Sequence, residues 1–157
     1  MDTSLVFGII FAAIIIGILL FFGFKYINEM FSISCESQTG QIMENLKNTV
    51  KSTLTLSKGS SRELKIILQS NCATKICFVD PQHPEIENKE GGWIPDEFST
   101  YLVSRNKYNF LIFEKEGGIK GYTIEKMKPY VNFCITKTKE VIVRNTGTFA
   151  EITLPEF

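Results

Sequence analysis

LVFGIIFAAIIIGILLFFGF, residues 5–24, holds no charged side chain and comes almost first in the chain. At about 1.5 Å of rise per residue, a helix of this length reaches about 30 Å, the hydrocarbon thickness of a bilayer. A secretory leader has a basic n-region, an apolar stretch of about 7–15 residues and a small-residue cleavage site. Here the only charged side chain upstream is Asp2, the run is longer, and Lys25-Tyr26-Ile27 follows in place of an Ala-x-Ala pattern. The stretch therefore reads as a single membrane-crossing segment, and no second run of the kind occurs in the sequence.

Downstream, the apolar positions thin out to one side of a helix. Ile27, Met30, Phe31 and Ser34, then Ile42, Leu46, Val50 and Leu54, recur at helical spacing. Gly40 is the weak point, where a kink or break would cost about 1 kcal/mol relative to Ala. LSKGSS, residues 56–61, ends the pattern, with Gly59 suited to a left-handed turn. The expected organisation is a helix over residues 1–55, apolar over 5–24 and amphipathic over 25–55, followed by a head domain over 56–157.

Past Ser61 the period shortens. Leu64, Ile66 and Leu68 alternate with Glu63, Lys65 and Ile67, and KICFV, YNFLIF, YVNFCIT, EVIVR and FAEITL follow, rich in β-branched and aromatic residues. ITKTKEV and RNTGTF have the composition of tight turns, so the last three strands are expected as an antiparallel meander. Between the second and third strands, PDEFSTYLVSR reads as a short helix with Pro95 and Asp96 at its start and Phe98, Tyr101, Leu102 and Arg105 on one face. The fold class is α+β, a long N-terminal helix packed on a C-terminal antiparallel sheet.

An apolar N-terminal segment that runs into an amphipathic half and then a small β-rich head resembles the mature form of an archaeal type IV pilin or pilin-like single-pass surface protein. Precursors of that family carry a short basic leader ending in Gly ahead of the apolar segment. The resemblance thus implies either that Met1 is the processed terminus or that the segment is an uncleaved anchor. Leu5 stands where bacterial pilins place an acidic residue, which favours the archaeal type. The resemblance also implies self-association into a helical filament, with the subunit held in the membrane before assembly and the heads displayed outward. Gly8 and Ala12, and Ala13 and Gly17, are spaced as small-xxx-small pairs that let helix backbones approach closely. Such residues are also common in any membrane span, and the alternative is a monomeric membrane-anchored head that binds a partner outside the cytoplasm.

Cys35, Cys72, Cys77 and Cys134 form an even set in a domain reached through a membrane helix, which points to disulfides in an oxidising setting. Zinc competes, since CATKIC has near-knuckle spacing, but no second close pair completes a site. A CxxC-type redox role would want two intervening residues. If the strand from Arg62 runs back along the helix, the ten residues to Cys72 cover about 33 Å, equal to about 22 helical residues. That count points to Cys35 as the partner of Cys72, leaving Cys77 with Cys134; Cys72 with Cys77 is the rival pairing. Charge near the span is almost silent on orientation, so the cysteines decide for an extracytoplasmic head.

The chain carries 17 basic and 17 acidic residues, and setting aside Asp2 leaves 17 against 16 after the apolar run. That balance argues against a nucleic-acid partner, which wants a clustered basic excess. There is no Gly-rich phosphate loop and no nucleophile beside a base, so no catalytic, cofactor or metal residue is assigned and the expected role is structural rather than enzymatic. The single His83 lies in the loop PQHPEIENKEGG, where solvation is expected, and Trp93 in EGGWIP reads as capping the edge of the core.

Overall fold

The computed structural model describes residues 3–68, 71–115 and 117–155, with side chains of 3–7 and 27–34 outside the description. The amphipathic positions expected at Ile27, Met30, Phe31 and Ser34, and the side chain of Leu5, therefore lie outside the described residues. The protein is α+β. Helix α1, Thr3–Leu54, runs in one unbroken stretch through Gly40. It is followed by β1 (Ser61–Ile66), β2 (Ala73–Phe78), α2 (Glu97–Asn106), β3 (Phe110–Glu114), β4 (Ile119–Tyr122), β5 (Met127–Pro129), β6 (Phe133–Ile135), β7 (Lys139–Asn145) and β8 (Ala150–Thr153).

The chain divides into two compact units, Met1–Thr39 and Gly40–Phe157. The second unit thus takes in the Gly40–Leu54 part of α1 as well as the head expected from residue 56. The reason is burial: Leu46 and Val50 are fully covered, and Ile42 and Leu54 pack against the same cluster. These four residues are the stripe that the spacing singles out, and burying such a stripe against a sheet is what holds a helix of this kind in place.

Among the described residues the strands form two four-stranded sheets rather than one. Sheet I has the order β1-β7-β8-β5, and sheet II the order β4-β3-β2-β6. Every pairing is antiparallel except β5 with β8, which is parallel. The main core draws on α1 and both sheets: Ile66, Val141, Val143 and Ile152 from sheet I meet Ile76, Phe78, Phe110, Ile112 and Phe133 from sheet II. Phe78 stacks on Phe133 with ring centroids 4.9 Å apart.

Sheet II is covered on both faces. The alternate residues of its strands, Cys77, Leu111 and Phe113, join Val79, Trp93 and Val103 in a second cluster under α2. Burial on both sides explains why KICFV and NFLIF read as nearly continuous apolar runs instead of alternating ones. Trp93 is buried, as expected of a core cap, and its indole N–H donates to Pro84 O at 3.1 Å.

The meander expectation is corrected at β6. The RNTGTF turn does close a hairpin, β7 to β8, with Gly147 at φ +101° and its N–H donating to Asn145 Oδ1. The ITKTKEV turn does not: β6 pairs with β2 in sheet II while β7 lies between β1 and β8 in sheet I, so the segment crosses from one sheet to the other. Turn composition reports that the chain reverses, not which strand it joins next; that is set by the Phe133 and Ile135 face meeting the core. The short strands β4 and β5 escape the sequence pattern: both are sheet edges of three or four residues, β4 is only partly buried along its length, and β5 ends in Pro129, which an edge tolerates.

Helix α2 is where expected, and the face shared by Phe98 and Tyr101 is turned away from the core. Ser99 and Val103 are buried, whereas Phe98 and Tyr101 are 61% and 51% exposed. The cap turns the helix this way. Asp96 accepts from Ser99 N–H at 2.8 Å and Ser99 Oγ accepts from Asp96 N–H, a reciprocal pair that holds Ser99 against the protein. Gly59 takes the positive φ of +91° expected of it, but five residues past the end of α1, in the turn into β1, where its N–H donates to Asn145 O.

Candidate functional site

The apolar end of α1 is the first feature with a functional bearing. Gly8–Tyr26 has a mean hydropathy of 2.5 and none of it is buried within the chain. It is long and apolar enough to cross a membrane. Ile9, Phe11, Ile14, Leu19, Phe21 and Phe24 are all more than half exposed. Left in water, such a surface would drive association or insertion.

The four small residues lie on this segment and are exposed. A methyl group added at Gly8 or Gly17 would meet no atom within 4 Å, and Ala12 and Ala13 are exposed. At about 100° per residue, the Gly8/Ala12 notch and the Ala13/Gly17 notch are turned about 140° apart around the helix. Each helix therefore presents two separate low places, on nearly opposite sides, rather than one stripe.

The second feature is the bracing of the head. All four cysteines are in disulfides. Cys77 and Cys134 occupy directly opposed positions on β2 and β6, with Cα atoms 4.0 Å apart, and join across the strand pair. This excludes the Cys72 with Cys77 pairing. Trp93 and Leu111 pack in the same cluster, so the bridge sits under an apolar cover. Thiol chemistry of the zinc or free-nucleophile kind has no cysteine left to use.

Three asparagines hold the loops of the head, and none carried a signal in the sequence. Asn109 donates to Ile124 O and Met127 O and accepts from Ile124 N–H, each at 2.8 Å. Asn132 accepts from Asp80 N–H at 2.7 Å and donates to His83 O and Ile86 O. Asn145 donates to Leu56 O at 2.8 Å, which fastens the end of α1 to the β7–β8 corner. All three are buried, where a primary amide can satisfy two or three backbone groups that would otherwise be stranded. Only tertiary contacts define such a role, so residue type and spacing could not reveal it.

Several titratable side chains of the head serve as local ties. His83 is exposed beside Glu85, with 3.6 Å between Nδ1 and Oε1. Asp80 is 8% exposed and pairs with Lys128 at 2.9 Å while its Oδ1 accepts from Gln82 N–H, an arrangement that pins a loop. The Asp96 carboxyl is held below its ordinary pKa: partial burial opposes its ionisation, but hydrogen bonds from Ser99 and Phe98 and the charge of Lys75 outweigh that. Among the described residues no group of three or more His, Cys, Asp or Glu is placed to hold a metal ion.

No protein-family model, curated protein or solved structure matches the chain. The class is therefore defined by its own architecture: an α+β protein with one N-terminal helix long and apolar enough to span a membrane and a disulfide-braced, two-sheet head. Two disulfides fit an oxidising compartment for that head.

Proposed function

We propose that the protein is a structural subunit of a type IV pilus-like surface filament, its apolar helices bundled in the filament core and its β heads facing outward. The observation that carries this reading is the apolar part of α1, which continues without a break into the helical stripe buried by the head while covering none of its own surface. Two small-residue notches on nearly opposite sides supply each helix with two neighbours, the minimum for a bundle that propagates. The disulfides suit a head that works outside the cytoplasm.

The test is substitution inside the notches. In a lipid-facing anchor, Gly17→Leu and Ala13→Leu leave an apolar span and change little. In a packed bundle they force bulk into a close contact at about 1–3 kcal/mol per copy. Electron microscopy of cell-surface material should find filaments that contain this chain, and both variants should reduce or abolish them while the protein still accumulates in the membrane fraction. Wild-type cells without such filaments, or variants that assemble normally, would leave the monomeric membrane-anchored head as the reading.

A further inference from the structure

Each sheet of the head has two outer strands, β1 and β5 in sheet I and β4 and β6 in sheet II. An outer strand turns a row of backbone donors and acceptors away from its sheet, which makes it a template for another strand. Two of these edges carry a cover of their own. On β6 the N–H of Cys134 donates to Gly91 O. On β5 Met127 donates to Ile124 O and accepts from Asn109 Nδ2, and Pro129 has no N–H to offer. β1 is the longest of the four, six residues against three or four.

The direction of the β1 backbone groups follows from its two ends. Ser60 O accepts from Asn145 N–H, and Leu68 N–H donates to Thr138 Oγ1, so the even positions face β7. Alternation in an antiparallel pair then turns the N–H and C=O of Ser61, Glu63 and Lys65 outward. Ser61, Arg62, Glu63 and Lys65 are exposed. The side chains of Glu63 and Lys65 share one face of the sheet. On that face Lys65 stands opposite Glu140 of β7, whereas Glu63 stands opposite Ile142, with Glu140 and Arg144 on its diagonals.

We propose that the β1 edge pairs with β1 of a second copy, antiparallel about a two-fold axis at Leu64, so that Glu63 of each copy lies opposite Lys65 of the other. Charge selects both the occupant and the register. Glu63-Leu64-Lys65 is its own complement when reversed. Sliding the pair by two residues one way sets Glu63 against Glu63, and the other way Lys65 against Lys65; like charges directly opposed destabilise a strand pair. A lysine alone on an edge discourages pairing, but a glutamate two residues before it makes the edge selective for its own sequence. Across the joined sheet the row reads Glu140 and Lys65, then Glu63 and Ile142 of the second copy. Glu63 thereby gains directly opposite it a cation where its own sheet offers Ile142. The same patch serves both copies, so the contact is isologous and closes at two. It goes beyond the filament reading, because a contact that closes adds nothing to the growth of a fibre.

The test is a charge swap in full-length chains held in detergent micelles, with dimerisation followed by sedimentation equilibrium. Glu63→Lys sets lysine against lysine twice in each dimer, and Lys65→Glu sets glutamate against glutamate twice. Each should weaken dimerisation about tenfold, with unchanged melting of the head because both positions are exposed. A chain carrying both changes again opposes unlike charges and should dimerise as the wild type does. An equimolar mixture of the two single variants should recover the same affinity as a mixed dimer, identified in native mass spectra by 15N labelling of one variant. The double variant and the mixture keep the test sound even where one single variant folds poorly. A wild type that stays monomeric, single variants that dimerise as tightly as the wild type, or a double variant and mixture no tighter than the singles would overturn the proposal. Association through the apolar helices alone gives the second of these results. Filaments on cells are scored separately, and their presence or absence leaves the swap result as it stands.

Discussion

The two ends of α1 are the same secondary structure put to opposite uses. From residue 8 to 26 the helix is apolar on every side and exposed on every side; from Gly40 to Leu54 it is apolar on one side and that side is buried. A helix that is apolar all round cannot orient itself against a single sheet, so its surface is left for lipid or for other copies. A one-sided stripe has only one low-energy contact and folds into its own chain. The difference teaches where the folded unit stops: at the point where apolar residues become selective about direction.

The largest effect expected from this contrast comes from cutting the helix. A fragment that begins at Tyr26 keeps Cys35 as well as Leu46 and Val50 and should unfold cooperatively, at the same temperature as the head of the full chain in detergent. A fragment of residues 56–157 exposes the core those residues cover and should aggregate or lack a cooperative transition. Equal melting of the two by circular dichroism would mean that α1 does not stabilise the head.

Next in size are single changes within the braced core. Replacing Cys77 and Cys134 together with alanine opens a loop whose ends are 57 residues apart, for which chain entropy gives about 4 kcal/mol. Leu46→Ala should remove about 2–5 kcal/mol. Leu19→Ala, at the exposed apolar end, should leave the denaturant midpoint of the head unchanged. A midpoint that shifts equally for Leu46 and Leu19 would erase the distinction between the two ends. Peptide mapping without reductant should join Cys77 to Cys134 and, from the chain-length reckoning, Cys35 to Cys72; four thiols open to alkylation in the native protein would contradict both bridges and the oxidising compartment.

The smallest effect sharpens the picture at α2. Asp96→Ala removes the cap and should cost about 1 kcal/mol. The Asp96 carboxyl titrates below its ordinary value in the folded head, so the unfolded chain takes up its proton first as pH falls. Its contribution is present above the unfolded value, near pH 4, and is lost as pH falls through the lower folded value. Because Asp96 is largely exposed, the effect is well under the full cap energy. Asp96→Asn keeps a capping oxygen and should flatten this part of the acid limb of stability; an unchanged acid limb would take Asp96 out of it.

Much of the architecture was legible along the chain because the signals are local. The apolar run, the Ile42–Leu46–Val50–Leu54 stripe, the core strands and the Asp96 cap each depend on residues within a turn or two of one another. Legibility ended where neighbours in space are distant in sequence. Phe98, Tyr101, Leu102 and Arg105 can be read as sharing one side of α2, but only the fold shows that Ser99 and Val103 are the residues turned inward. β6 was placed beside β7 because adjacency in sequence is the default, whereas it pairs with β2 across 57 residues, where Cys134 meets Cys77. The small-residue pairs of the apolar segment, by contrast, can be read directly along the chain.

What the sequence determined by itself was the list of elements, the length and character of the helix, and the presence of a disulfide-bearing β head, since periodicity, capping and composition act over a few residues and need no partner. Only the tertiary structure decided that the strands sort into two sheets, that sheet II is buried on both faces, that three asparagines carry the loops and that α2 turns its aromatics outward. Those outcomes depend on which apolar faces can be covered at the same time. That is a property of the whole chain closing on one core, and no window along it contains the answer.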